Sequence, residues 1–91
     1  MANHKSAAKQ ARRSAARRLR NRFWRSRMRT QIKKFRKALE QGDLETAKAL
    51  LAPTLGLVDR TARAGVIHDN TASRYKSRLQ RAFNKSAAKA G

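Results

Sequence analysis

Apolar residues recur at steps of three and four in three separate stretches of the chain. The first stretch carries Trp24, Met28, Ile32, Phe35 and Leu39. The second carries Leu44, Ala47, Leu51, Leu55, Val58 and Ala62, and the third Ala72, Tyr75, Leu79 and Phe83. Such spacing places each set along one face of an α-helix. β-Branched residues are few and do not alternate, so no strand is expected. The punctuation agrees. Gly42 stands where a left-handed helix end is expected, Asp43 follows as an N-cap, and Glu45 lies in the next first turn to suit the helix dipole. Gly65 ends the second helix, and Ile67 is placed to staple the entry of the third.

The pattern predicts helices over about 7–41, 44–64 and 69–87. Pro53 removes one backbone hydrogen bond inside the second and should kink it, with Gly56 adding slack. Three narrow apolar stripes joined by short connections predict an all-α, antiparallel three-helix bundle. Lengths then become informative. The first helix would span roughly 52 Å and the second roughly 32 Å at 1.5 Å per residue. The excess falls at the N-terminal end, because the turn at Gly42 fixes the other. Between Lys5 and Arg22 Leu19 is almost alone as a large apolar residue. A single domain over 1–91 is therefore expected, with residues 1 to about 20 projecting as a basic arm and about 21–87 forming the bundle. The arm need not be ordered until a partner neutralises it.

Charge changes the picture most. Lys and Arg number 24 against five acidic residues, for a formal net charge of +19 over 91 residues. The distribution is uneven: +15 over residues 1–37, −1 over 38–65 and +5 over 66–91. The middle reads as a brace, the ends as binding surfaces. Leu, Ile, Val and Phe together are only 15 residues, so the core is thin for the charge it must hold together. With no cysteine, disulfides and thiolate chemistry are excluded. No apolar run is long enough to span a bilayer, and no secretory signal is expected. An organellar transit peptide is disfavoured, because its removal would leave too little chain to fold.

On a helical wheel Arg18, Arg22, Arg25, Arg29, Lys33 and Arg36 share about one quadrant. A second group, Lys9, Arg12, Arg13, Arg20, Arg27 and Lys34, lies further round, and Arg17 adds to the same segment. In the third helix Arg74, Arg78, Arg81 and Lys85 share a face away from Leu79 and Phe83. A solvated face normally mixes signs, but here no acidic residue precedes Glu40. Like charges four apart cost helix stability, so a polyanion outside the chain must offset the cost. Arginine exceeds lysine 15 to 9, which suits bidentate phosphate contact. Aromatic residues are too few for a single-strand stacking platform, so readout of backbone and shape is expected. Phe23 is rotated 100° from Trp24 and should be exposed, either packing on Leu19 or lying against a sugar or base. Trp24 should face the end of the second helix near Val58 and Ala62.

No catalytic motif or metal-spaced ligand set is present, so no metal, cofactor or small-molecule substrate is expected. His68 beside Asp69 is read as a cap or a polar contact, because adjacent residues do not face each other on a helix.

The segment GVIHDNTASRYKSRL at 65–79, with MANHKSA at the start and RNR…SRMRTQIKKF over 20–35, resembles the bacterial small-subunit ribosomal protein number twenty, the S-twenty family. The resemblance covers almost the whole chain. It implies a three-helix bundle with a long first helix, and a non-enzymatic binder of small-subunit ribosomal RNA in the bacterial cytoplasm that bridges several RNA helices. Partners would be that RNA and other small-subunit components, with no membrane and no homo-oligomer. The RNA-facing candidates it adds are Lys5, Lys9, Arg20, Asn21, Arg22, Ser26, Arg29, Lys33 and Lys34, then His68, Asn70, Thr71, Arg74, Lys76, Ser77 and Arg78. Ser73 and Tyr75 depart from the family's more usual Ala and Lys. The readings that compete with this one are a histone-like nucleoid DNA binder and a membrane-active cationic peptide. Narrow stripes that bury one another argue against the second.

Overall fold

The computed structural model describes residues 2–90, with side chains from Ala7 onward. It contains three helices: α1 over Ala2–Glu40, α2 over Leu44–Arg63 and α3 over Asp69–Ala90. The described residues contain no strand.

Both connections are made the same way. Gly42 has φ +71° and Gly65 has φ +76°, the left-handed region that glycine enters without strain. At the first turn the Asp43 N–H donates to the Ala38 carbonyl and the Gly42 N–H to that of Leu39. At the second, the Val66 N–H donates to Thr61 and the Gly65 N–H to Ala62. These paired bonds form the Schellman arrangement, which satisfies carbonyls that a helix end would otherwise leave open. The next helix starts at once. Asp43 caps α2: its Oδ1 accepts from the Thr46 N–H at 3.2 Å and its Oδ2 from the Thr46 hydroxyl at 2.6 Å. His68 caps α3, with its Nδ1 accepting from the Asn70 N–H at 3.1 Å.

The core gathers Met28, Ile32, Phe35 and Ala38 of α1, Ala47 and Val58 of α2, and Ala72 and Leu79 of α3. Leu39, Leu50, Leu51, Leu55, Ala62, Ile67, Tyr75 and Phe83 pack on it while half-buried. The α1 and α3 stripes thus stand, with one revision. Trp24 is half-buried but does not join the core, so the apolar seam of α1 begins one turn later, at Met28.

In α2 the buried line is rotated from the one expected. It runs Ala47, Thr54, Leu57, Val58 and Thr61, whereas Leu44, Leu51, Leu55 and Ala62 are half-buried. Two threonines hold central positions because their hydroxyls are satisfied within the helix. Thr54 Oγ1 donates to the Leu50 carbonyl at 2.6 Å and Thr61 Oγ1 to that of Leu57 at 2.7 Å. Once so bonded, a threonine presents mainly its methyl group to the core. The helix is one 20-residue element through Pro53.

Helix α2 lies between the other two and packs on both, while α1 and α3 scarcely meet. The molecule is long and thin, with extents of 70 × 21 × 14 Å and a radius of gyration of 18.1 Å. A compact domain of this length would have about 12 Å. The elongation comes from α1. Its 39 residues measure roughly 58 Å against roughly 30 Å for the 20 of α2. Since the Gly42 turn registers their adjoining ends, the surplus lies at the N-terminal side. Every residue from Ala7 to Arg20 is exposed.

Candidate nucleic-acid interface

The long helix has no acidic residue in its first turn and meets its first carboxylate only at its final residue, Glu40. Along it Arg18, Arg22, Arg25 and Arg29 line one open groove with Ala15, Leu19, Asn21 and Ser26. The four arginines that the helical wheel places in one quadrant are thus brought together. All four are exposed, as are Lys33 and Arg36 further along. The second group, Lys9, Arg12, Arg13, Arg20, Arg27 and Lys34, is exposed too, with Arg17. The Lys5 side chain lies outside the described residues.

Asn21 supplies something the arginines cannot. It is half-buried, and its Oδ1 is shielded from solvent without a hydrogen-bond partner. An unpaired acceptor costs free energy until a donor reaches it. The Asn21 oxygen is an acceptor turned inward, where the arginines offer only outward donors.

Arg27 is held differently. Its guanidinium carbon lies 5.3 Å from the Phe23 ring centre and 5.8 Å from that of Trp24. The two rings meet edge to face, at 5.9 Å and 80°. Spacings of three and four residues place these side chains on adjoining turns. Phe23 is exposed, as expected.

Helix α3 forms the smaller surface. Arg74, Arg78 and Arg81 line a shallow groove with Ser73 and Ser77. Lys85 and Asn70 are exposed and Thr71 is half-buried. His68 is exposed, and its cap commits Nδ1 inward, leaving Nε2 for an outside partner. Lys76 is the candidate with another engagement: its Nζ meets Asp59 Oδ1 of α2 at 2.8 Å. Both residues are partly open to solvent, where such a pair contributes little to stability. It does compensate the charge of Lys76, and residues seventeen apart give no spacing from which the pair could be foreseen. In the neutral middle, Arg60 turns back so that its Nε donates to the Gly56 carbonyl at 3.4 Å.

No group of three or more metal-ligating side chains occurs among the described residues, and no described helix is long and apolar enough to cross a membrane.

Comparison with known proteins identifies the lineage. The sequence profile of the family described as Ribosomal protein S20 matches residues 2–84. A protein of Thermomicrobium roseum named small ribosomal subunit protein bS20 is 55% identical over 84 residues, covering 92% of this chain and 85% of its own. The bS20 of Desulforapulum autotrophicum is 52% identical, covering 91% of this chain and 99% of its own. That of Magnetococcus marinus is 48% identical over 90 residues, covering 99% and 98%. The expected non-enzymatic role agrees with a family of structural ribosomal proteins. A family profile that spans nearly the whole chain, together with relatives this similar over most of their length, shows that the chain belongs to the ribosomal protein S20 family.

Proposed function

We propose that the chain binds small-subunit ribosomal RNA directly and braces its fold, with the N-terminal half of α1 as an arm between RNA helices and the α3 groove as a second hold. The carrying observation is the arginine row of α1, which starts on the uncovered arm, stays exposed to Arg29 and meets no carboxylate before Glu40. Guanidinium groups on several sides of one rod suit contact with phosphates of more than one RNA helix. RNA is favoured over DNA by the chain's place in a family whose named relatives are small ribosomal subunit proteins.

The test is binding to refolded bacterial small-subunit ribosomal RNA and to duplex DNA at matched salt. Neutralising at least about six phosphates makes log K fall with log salt at a slope steeper than about −4. Comparable affinity for the two nucleic acids would favour the nucleoid reading instead, and a slope shallower than about −3 would point to a different partner.

A further inference from the structure

Leu19 and Phe23 are the exposed large hydrophobic side chains among the described residues, at 68% and 53% of full exposure. They sit one turn apart on α1, Leu19 within the stretch up to Arg20 where every described residue is exposed and Phe23 just past it, and neither belongs to the core. Phe23 is nonetheless ordered by its neighbours. The Trp24 ring meets it edge to face, and the Arg27 guanidinium lies over it at 5.3 Å. Arg20 and Arg27 share that side of the helix and are exposed. An apolar protein face or an acyl chain would have to desolvate those guanidinium groups without pairing them. RNA offers phosphates to the arginines and, where a nucleotide is unpaired, a flat π-face to the ring.

We propose that Phe23, with Arg27 laid on it, is a stacking platform for one unpaired RNA base. This rests on the ribosomal-RNA reading above and names the feature in the RNA that the arm recognises. Duplex RNA buries its base faces in its own stack, so only a nucleotide released from pairing can use the platform. The ring contributes an attraction that salt does not screen, on a limb whose other contacts are ionic. The aromatic pair also limits the rotamers of Arg27, so less freedom is lost when the base arrives.

The experiment uses the full chain with Phe23→Ala, Phe23→Leu and Phe23→Trp, titrated at several salt concentrations. The probes are refolded bacterial small-subunit ribosomal RNA and a fully paired RNA duplex. Phe23→Ala should weaken binding to the ribosomal RNA about 5- to 150-fold at every salt concentration, with the salt slope unchanged. Phe23→Trp should restore affinity and Phe23→Leu should not, since leucine is apolar without a flat face. On the duplex all four proteins should bind alike. The proposal is overturned by an alanine variant that matches the parent on ribosomal RNA, by rescue with leucine, or by equal losses on the duplex. It is also overturned if Phe23→Ala lowers the thermal midpoint of the free protein, because the ring would then brace the fold. Failure of the parent chain to prefer ribosomal RNA over duplex DNA would sink the underlying function reading, which is a separate outcome.

Discussion

The two halves of α1 obey opposite rules. From Met28 to Ala38 every third or fourth residue is buried, mainly against α2, and Phe35 is 0% exposed. From Ala7 to Arg20 nothing is buried, and arginine replaces apolar residues along all faces. Yet both halves are one continuous helix. The C-terminal half is held by packing. The N-terminal half has only intrinsic propensity, in a segment whose like charges oppose helix. Packing is therefore confined to one half of a single element and the proposed binding to the other, and mutations should separate them.

The largest contrast is electrostatic. Replacing Arg18, Arg22, Arg25 and Arg29 with Gln should lower the steepness of the salt dependence of RNA binding by about 3, and leave the bundle's melting midpoint nearly unchanged. Replacing Lys48, Arg60 and Arg63 should change binding far less, since acids offset them locally and Arg60 is turned onto its own helix. Equal losses from the two sets would mean that only total charge counts. Next in size is the packed half. Phe35→Ala should destabilise the bundle by about 3–5 kcal/mol in denaturant titrations. Trp24→Ala, at a half-buried position outside the core, should cost less. If the order were reversed, the seam of α1 would start earlier than Met28.

Two glycines sharpen the comparison at a smaller scale. Gly42→Ala would force an L-residue to φ +71° and should cost about 1–2 kcal/mol, although a Cβ there meets nothing within 4 Å. Gly56 lies inside α2 in ordinary helical conformation with open space at its Cβ. Gly56→Ala should raise stability by about 0.5–1 kcal/mol. Opposite signs in the two melts would show that backbone conformation, not space, decides these positions.

The smallest effect is on the acid side. The Thr46 hydroxyl, then the Thr46 N–H, hold the Asp43 carboxyl below its ordinary range. A carboxylate with a lowered folded-state value contributes stability above its unfolded value and loses it as pH falls through the folded one. Asp43→Asn keeps an acceptor at the cap without the titration, so melts taken below about pH 4 should drop slightly less for the variant than for the parent.

The helix ends were legible because glycine and aspartate mark them by local chemistry. The basic stripes were legible because periodicity alone fixes which residues share a face. The rotation of α2 was not, because apolarity is a poor guide where Thr54 and Thr61 bond their own helix and bury only methyl groups. Nor was the flat arrangement of the helices. Three stripes predict a bundle, but their spacing does not say that α1 and α3 hardly touch. The Lys76–Asp59 pair depends on α2 and α3 meeting in one register, which no spacing in the sequence encodes.

The unequal helix lengths have a mechanical consequence. About 28 Å of α1 extends past the length of α2, and an α-helix is stiff over that distance. The bundle is the fulcrum and the N-terminal half the lever. A tilt of about 10° at the fulcrum would sweep the far end through about 5 Å, close to the rise of one helical turn. On the proposed function, seating of the short helices would set where the distant arginines land, as the hinge of a calliper sets its jaw.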